Sequence, residues 1–579
     1  MTPADDPSSP VGDIDAFPHS IASFDPTDAS VLLWARTEVG DRVRWTVAHD
    51  AELTDVVASG EVAVDLDRDH TAVVTVDELQ SATEYHFAFE VEGRRSTVGR
   101  TRTLPAGPTE RARLAVVSCA NLARAPLTVY RAMAAIPDLD VVVHLGDYIY
   151  EDDGAKGDIP VDPPRYLVTL DDYRRRYRQA RADADLQALH ERYPFVTIWD
   201  DHDVADNTWD DGAKSHDDEE MGPWPDRLAA ATRARQEWLP IRLRDPDDEG
   251  LLWRSFALGD LAELVMLDTR LGGRDEALDS AGEGIDDPSR AILSPEQWEW
   301  ATERIVDRSR RWSLVASQVP VSEMHLPMPD GLNLDRFLPE GYTVQDGIGV
   351  CTDQWDGYAA EQQRLSRVLG ERGGGAVILS ADVHSSWVFD GPFGPDGEPV
   401  AGELTGSSVS STTMGGNLGR AGTKLGQHIA EHMDHVCWVD LHEHGFLVVD
   451  VTAERLRGEV WAVDPADGRA RAQRLTAWDI GPGPGARWVE TTAEDGGVDA
   501  EGDSDTTQKE PTADSQASID DDLVQGPPAH GPRGADQQRP ARPIALRVLK
   551  AALVAGAVIG LRPFLRAARQ GAGAARSRR

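Results

Sequence analysis

Two rhythms of apolar residues divide this chain. Between residues 15 and 107, short runs such as SVLLWART (30–37), RVRWTVAH (42–49), TAVVTV (71–76) and EYHFAFEVEG (84–93) are parted by polar turns. In the last run Tyr85, Phe87, Phe89 and Val91 fall on alternate positions and share one face of a strand. This is the pattern of an all-β sandwich, and LQSATEYHF (79–87) has the tyrosine-corner layout of immunoglobulin and fibronectin type III domains. LPAGPTE (104–110) then reads as a Pro/Gly hinge.

Beyond the hinge the strands become apolar throughout and alternate with helices. RLAVVSC (113–119), LDVVVHLGD (139–147), PFVTIWDD (194–201), LAELVMLDTR (261–270), WSLVASQVP (312–320) and GAVILSADVH (375–384) are predicted to be buried strands. Helical stretches lie between them at 170–193 and 294–309, the latter opened by Ser294 as N-cap and Pro295 at the first helical position. The alternation predicts a layered α/β domain over residues 108–490, with antiparallel strands at 434–464 near its end.

The flanks have a different composition. Residues 1–14 read as a flexible N-terminus, and 491–543, rich in Asp, Gln, Pro, Gly and Ser, as a disordered acidic linker. Residues 544–579 are apolar and basic. Their longest uncharged run, 551–561, falls well short of the roughly 20 residues that span a bilayer, so an interfacial amphipathic tail with membrane-surface contact is expected. MTPADDPSSP carries neither a basic n-region nor an apolar core, which predicts a cytoplasmic or membrane-associated protein.

Charge narrows the partners. With 100 acidic and 58 basic residues the formal net charge is −42, and five of the basic residues are lysine. Such a surface suits concentrated salt, where the Debye length shrinks to about 3 Å at 1 M, and it repels nucleic-acid phosphates. A monomer without nucleic-acid binding is expected. Acid runs such as SHDDEE (215–220) and DPDDEG (245–250) follow no apolar strand and read as solvated loops. Three cysteines without paired spacing give no disulfide framework.

The strand ends tell a different story. Cys119 follows LAVV, Asp147 and Tyr150 follow VVVHL, and Asp200-Asp201-His202-Asp203 follows FVTIW. Asp268 and Arg270 follow LVML, Gln318 lies in VASQVP, and Asp382 and His384 follow VILS. Ligands of open α/β sheets bind beyond the carboxyl ends of strands, and six strands deliver polar groups there. The donors are mixed: carboxylates suit hard cations, whereas thiolate and phenolate suit a redox-capable metal such as iron. Two metals about 3.5–4 Å apart and bridged by a carboxylate would form a phosphoester-hydrolysing clamp.

GDYIYE (146–151), WDDHDVADN (199–207), LDTR (267–270), SQVP (317–320), WDGY (355–358) and LSADVHSSW (379–387) resemble, in this order, the PhoD-type alkaline phosphatases of the calcineurin-like metallophosphoesterase superfamily. FPHSIASFDPTDASVLLWART (17–37) is similar to that family's N-terminal sandwich. The resemblance covers residues 15–480. It implies hydrolysis of phosphate monoesters and diesters with Fe³⁺ and Ca²⁺, Mn²⁺ or Zn²⁺ being the other metals such donors accept. Iron ligands then fall on Cys119, Asp147, Tyr150 and His384, and calcium ligands on Asp147, Asp201, Asn207 and Asp382, with Asp147 bridging. His202 becomes the histidine at the leaving group or phosphate, with Asp203 orienting its ring and Arg270 completing the catalytic set. The chain departs from the family at Asp203, where glutamate is common, at Ala120, where glutamine is common, and in its lack of a twin-arginine leader. A phosphodiesterase or phospholipase D-like activity at a membrane, and a non-catalytic membrane-associated binding protein, are the rival readings.

The remaining histidines read as background. His144 inside VVVHLGD is expected to be a satisfied core histidine, and His428, His432 and His435 a solvated helix face. His442 and His444 flank a strand from which they could reach the site.

Overall fold

The computed structural model of this protein describes residues 12–245, 248–279, 284–327, 342–345 and 348–491. The expected linker and basic tail lie outside the described residues. Among those described, no helix is long and apolar enough to cross a membrane.

All six apolar runs form strands: β1 Arg111–Val117, β2 Val141–His144, β3 Phe195–Thr197, β4 Ala262–Met266, β5 Trp312–Ala316 and β6 Ala376–Ser380. They divide between two sheets. β1, β2 and β3 are parallel neighbours in a ten-stranded sheet, and β4, β5 and β6 are parallel neighbours in a seven-stranded one. Antiparallel strands extend both, including Gly445–Thr452 beside β1, as the pattern at 434–464 foretold.

Alternation explains why these strands are apolar on both faces. Leu264, Met266, Leu314, Ala316, Val377 and Leu379 join Leu114 and Val116 of β1 in one core between the sheets. Their neighbours Val265, Val315 and Ile378 turn the other way and pack with Trp298 and Ile305 of the helix Pro295–Val306 and with Leu365 and Leu369 of Ala359–Arg372. Ser294 caps the first of these helices through Gln297 N at 3.1 Å, as its sequence indicated. The long helix expected over 170–193 is two, Leu170–Arg181 and Ala184–Arg192, because Asp183 takes an extended backbone and caps the second through the N–H groups of Asp185 and Leu186.

The N-terminal region is a pair of packed sheets. Arg42–Ala48, Val56–Ala63 and Glu84–Val91 form one, and Ile21–Phe24, Val31–Arg36 and Thr71–Val76 the other. Tyr85 OH accepts from Gln80 N at 2.8 Å, the contact that a tyrosine corner makes. The second sheet does not stop at the sandwich: Phe24 pairs in parallel with Phe195 of β3, so these strands complete the ten-stranded sheet. Val31, Leu33 and Ala35 accordingly face the sandwich core, whereas Leu32 and Trp34 face the main core. This is why VLLWAR has no polar face to show.

Candidate metal centre

The loops after β1, β2, β3 and β6 converge at the carboxyl ends of the two sheets. The approach is tight. A Cβ on Gly146 would lie 2.1 Å from Asp200 N, and the glycine sits at φ +106°, so only glycine lets the loop after β2 meet the loop after β3. Five candidate ligands occupy the left-handed region that L residues avoid: Cys119 (φ 61°), Asp147 (54°), Asn207 (50°), Asp382 (69°) and His384 (49°). Conformations of this kind cost of order 1–3 kcal/mol each and gather at functional sites.

Three donor groups lie side by side. Cys119, Asp147 and His384 form one, Asp147, Asp201 and His202 a second, and Asp200, Asp201 and Asp382 a third, with donor atoms in each within 4.8 Å of one another. Asp147 belongs to the first two and Asp201 to the last two. Tyr150 OH joins the first group, donating to Asp147 Oδ2 at 2.7 Å and lying 3.3 Å from His384 Nε2, and it accepts from Ser411 Oγ at 2.6 Å. Asn207 comes to the second side through its backbone, whose N–H donates to Asp201 Oδ2 at 2.7 Å.

Electrostatics mark the cluster as short of positive charge. Burial, helped by the neighbouring acids, raises the carboxyls of Asp147 and Asp382, the Cys119 thiol and the Tyr150 phenol above their ordinary values. A bound cation removes that conflict, since thiolate, phenolate and carboxylate all become ligands when deprotonated. Asp201 Oδ1 is buried with no hydrogen bond, only the Arg270 guanidinium at 3.6 Å, so it keeps a lone pair that an ion could take. Burial and then His202 lower His384 to about 4, leaving it neutral, and its Nδ1 meets Thr412 O at 3.2 Å so that Nε2, beside Tyr150 OH, is the nitrogen turned to the cluster. The residues present fit a mixed metal pair.

Two expected roles change. Asp203 does not orient His202. Its carboxylate accepts from the backbone N–H groups of Asp147 (2.7 Å), Asp200 (3.0 Å), Tyr148 (3.1 Å) and Ile149 (3.4 Å), which fixes the turns carrying the ligands. The partner of His202 is Glu151, whose Oε2 lies 2.7 Å from Nδ1. Arg270 is fully buried and held by carboxylates: it bonds Asp200, Asp353 at 2.7 Å and Asp382 at 2.8 Å, and stands 3.6 Å from Asp201. It balances and aligns the acids; a guanidinium so engaged is a brace.

Asp268 and Gln318, expected at the same edge, hold backbone. Asp268 accepts from Arg270 N and Leu271 N, each at 3.0 Å, and from the Trp199 indole at 2.8 Å, and Gln318 Oε1 accepts from Thr269 N at 2.7 Å. His144 is buried with Tyr130 OH at 2.9 Å, the satisfied core histidine expected. His444 reaches the site at one remove, through Ser411 O at 3.0 Å, whereas His442 meets Thr423 Oγ1 at 3.1 Å. His428 and His432 share the face of the helix Arg420–His432 with Glu431, and His435 lies beyond it against Glu323 O.

A family model for the PhoD-like phosphatases matches residues 114–460, and one for the N-terminal domain of the PhoD-like phosphatases matches residues 4–105. The chain is a PhoD-like phosphatase. It is 30% identical to alkaline phosphatase D of Bacillus subtilis (strain 168) over 430 residues, 69% of this chain and 70% of that protein. A solved structure of PhoD superposes with a TM-score of 0.72 at 26% identity, over 86% of this chain and 95% of the other. As a PhoD-like phosphatase the chain is a metal-dependent phosphoesterase, and the three donor groups lie within the span its family model matches.

Glu151 and Asp200 are the site residues that the sequence reading left without a role. Asp200 and Asp203 form a capping box around the short turn Asp201–Asp203, a spacing visible in DDHD. Glu151 has no such signal beyond its place directly after Tyr150.

Proposed function

We propose that this phosphatase hydrolyses phosphate monoesters and diesters as an alkaline phosphatase, with iron on the side of Cys119, Asp147, Tyr150 and His384 and calcium on the side of Asp147, Asp201, Asn207 and Asp382. The observation that carries the proposal is the sharing of Asp147 between a thiol-containing group and an all-oxygen-and-imidazole group. Soft and hard donors on either side of one carboxylate suit two unlike cations. When bound, such cations neutralise phosphoryl charge and fix the ester for in-line attack.

The protein's own residues then divide the remaining work. His202 stands with Asp147 and Asp201, and it is the group suited to give a proton to the departing alkoxide. Burial alone would lower it, yet Glu151, Asp201 and Asp147 outweigh that and hold the imidazole above its ordinary value. Arg270 bridges Asp200 and Asp382, and Asp203 keeps the ligand turns in register. Purified protein assayed for metals by mass spectrometry and for turnover of p-nitrophenyl phosphate and its bis-ester tests the reading. Iron and calcium with phosphate release at alkaline pH are expected; a protein loaded with both metals that cleaves neither ester would refute it.

A further inference from the structure

Glu151 is buried to 1% exposure, yet it is no ordinary salt-bridge acid. Its Oε1 accepts from Asp206 N at 2.8 Å and from Ser215 Oγ at 3.1 Å, and its Oε2 meets His202 Nδ1 at 2.7 Å. On its other side the His202 ring stacks on Tyr150, with centroids 4.2 Å apart and planes at 29°. The backbone N–H of His202 donates to Asp147 Oδ1 at 3.1 Å. Backbone, ring face and Nδ1 are thus each fixed by a different group, and Nε2 is left as the nitrogen that can reach a ligand. It stands 3.9 Å from Asp206 Oδ1, at the partly open side of the ring.

We propose that Glu151 is a positioning residue that locks the ring of His202, with Nε2 presented to the leaving-group oxygen of a phosphate ester. The proposal rests on the phosphoesterase reading above and gives it a specificity: esters with poor, alkoxide leaving groups depend on the lock, and aryl esters depend on it little. Glu151 also joins Asp203 in tying two loops together, since Tyr150 beside it follows β2 while Asp206 and Ser215 follow β3. A ring misplaced by 1 Å transfers its proton poorly, and a positioned acid contributes on the order of 10²–10⁴ in rate.

The test compares Glu151→Ala and Glu151→Gln with the parent enzyme on an alkyl phosphate and on p-nitrophenyl phosphate. Glu151→Ala is expected to lower kcat about 10²-fold for the alkyl ester and less than about tenfold for the aryl ester, with KM and metal content unchanged. Glutamine can accept from His202 or from Asp206 N but not from both, so Glu151→Gln should recover about tenfold of the loss. It is near-isosteric and decides the matter if the alanine variant does not fold. Equal losses on both esters, loss of metal, or full activity would each overturn the proposal. A slowly exchanging imidazole N–H proton resonance, present in the parent and absent in Glu151→Ala and in His202→Ala, reports the lock without turnover. Its absence from the parent overturns the lock, whereas an inactive parent that shows it overturns the phosphoesterase reading alone.

Discussion

Two acid-rich stretches lie a few residues apart and behave as opposites. Asp200, Asp201 and Asp203 in the first are at most 3% exposed, whereas Asp217, Asp218, Glu219 and Glu220 in the second are open to solvent. Both begin a short helical turn, and in both an aspartate caps it: Asp200 with Asp203 in one, Asp217 in the other through Glu219 N at 2.8 Å. The local chemistry is the same. What differs is the preceding strand: β3 runs through the core and carries its aspartates to the place where two sheets end, while nothing apolar drives the second run inward. An acidic residue acquires a function here from the depth at which the chain delivers it, because in low dielectric its charge has to be answered by a cation, a guanidinium or a row of N–H groups.

The contrast can be broken most sharply at Asp147. Asp147→Asn removes the charge shared by two donor groups and should cost at least about a thousandfold in turnover, or ~4 kcal/mol of barrier, together with bound metal. Glu219→Gln, equally acidic in origin, should leave rate and metal content within twofold. Normal turnover and metal in Asp147→Asn would place the centre elsewhere.

The next effect concerns stability. Asp203→Ala strips the acceptor from four buried backbone N–H groups, each worth about 1–3 kcal/mol when left unpaired, so a loss of ~3 kcal/mol or more is expected in denaturant unfolding. Asp217→Ala loses one exposed cap, for about 1 kcal/mol or less. If the two variants unfold at the same denaturant concentration, the buried aspartate has no special structural duty.

A third test uses an acid that is buried but far from the donors. Glu361 accepts from Ile292 N, and burial raises it to about 7. The folded protein therefore binds its proton more tightly than the unfolded chain does. The penalty is absent below the ordinary value of 4.5, grows as pH rises towards 7, and is complete above it. Glu361→Gln should match the parent at pH 4.5 and be more stable at pH 8, by roughly 1–3 kcal/mol. A stability gap that does not widen between those pH values would show that the carboxylate is not held protonated by its surroundings.

The smallest effect is spectroscopic. Cys119→Ser, a change of one atom, should leave the unfolding transition within about 1 kcal/mol. It should also lower the iron content and alter any visible charge-transfer band. Unchanged iron and colour would remove the thiol from the ligand set.

Much of this arrangement is legible in the chain because strands announce themselves. Six largely apolar runs mark the two central sheets, and the polar residues directly after β1, β2, β3 and β6 are those that meet. Side-chain direction was less accessible. Asp201 and Asp203 sit two residues apart in a tight turn, and which of them faces the metals depends on backbone angles that composition does not encode. Arg270 read as a member of the catalytic set because its partners Asp200, Asp353 and Asp382 come from three distant segments. Glu151 was hidden by abundance: in a chain with 100 acids, one more carboxylate after a tyrosine carries no contrast. The continuation of the N-terminal sheet into the main one escaped for a similar reason. A Pro/Gly hinge marks a break in the chain but says nothing of an edge strand reaching across to Phe195.

That shared edge sets a timetable for synthesis. Ile21–Phe24 leaves the ribosome early, but its parallel partner Phe195 follows only after β1 and β2 have been made. At about 5–20 residues per second the interval is roughly 10–30 s, during which Leu32 and Trp34 have no second core to enter. For that time the nascent protein carries an unfinished sheet edge with an apolar face, the kind of surface on which chains join one another.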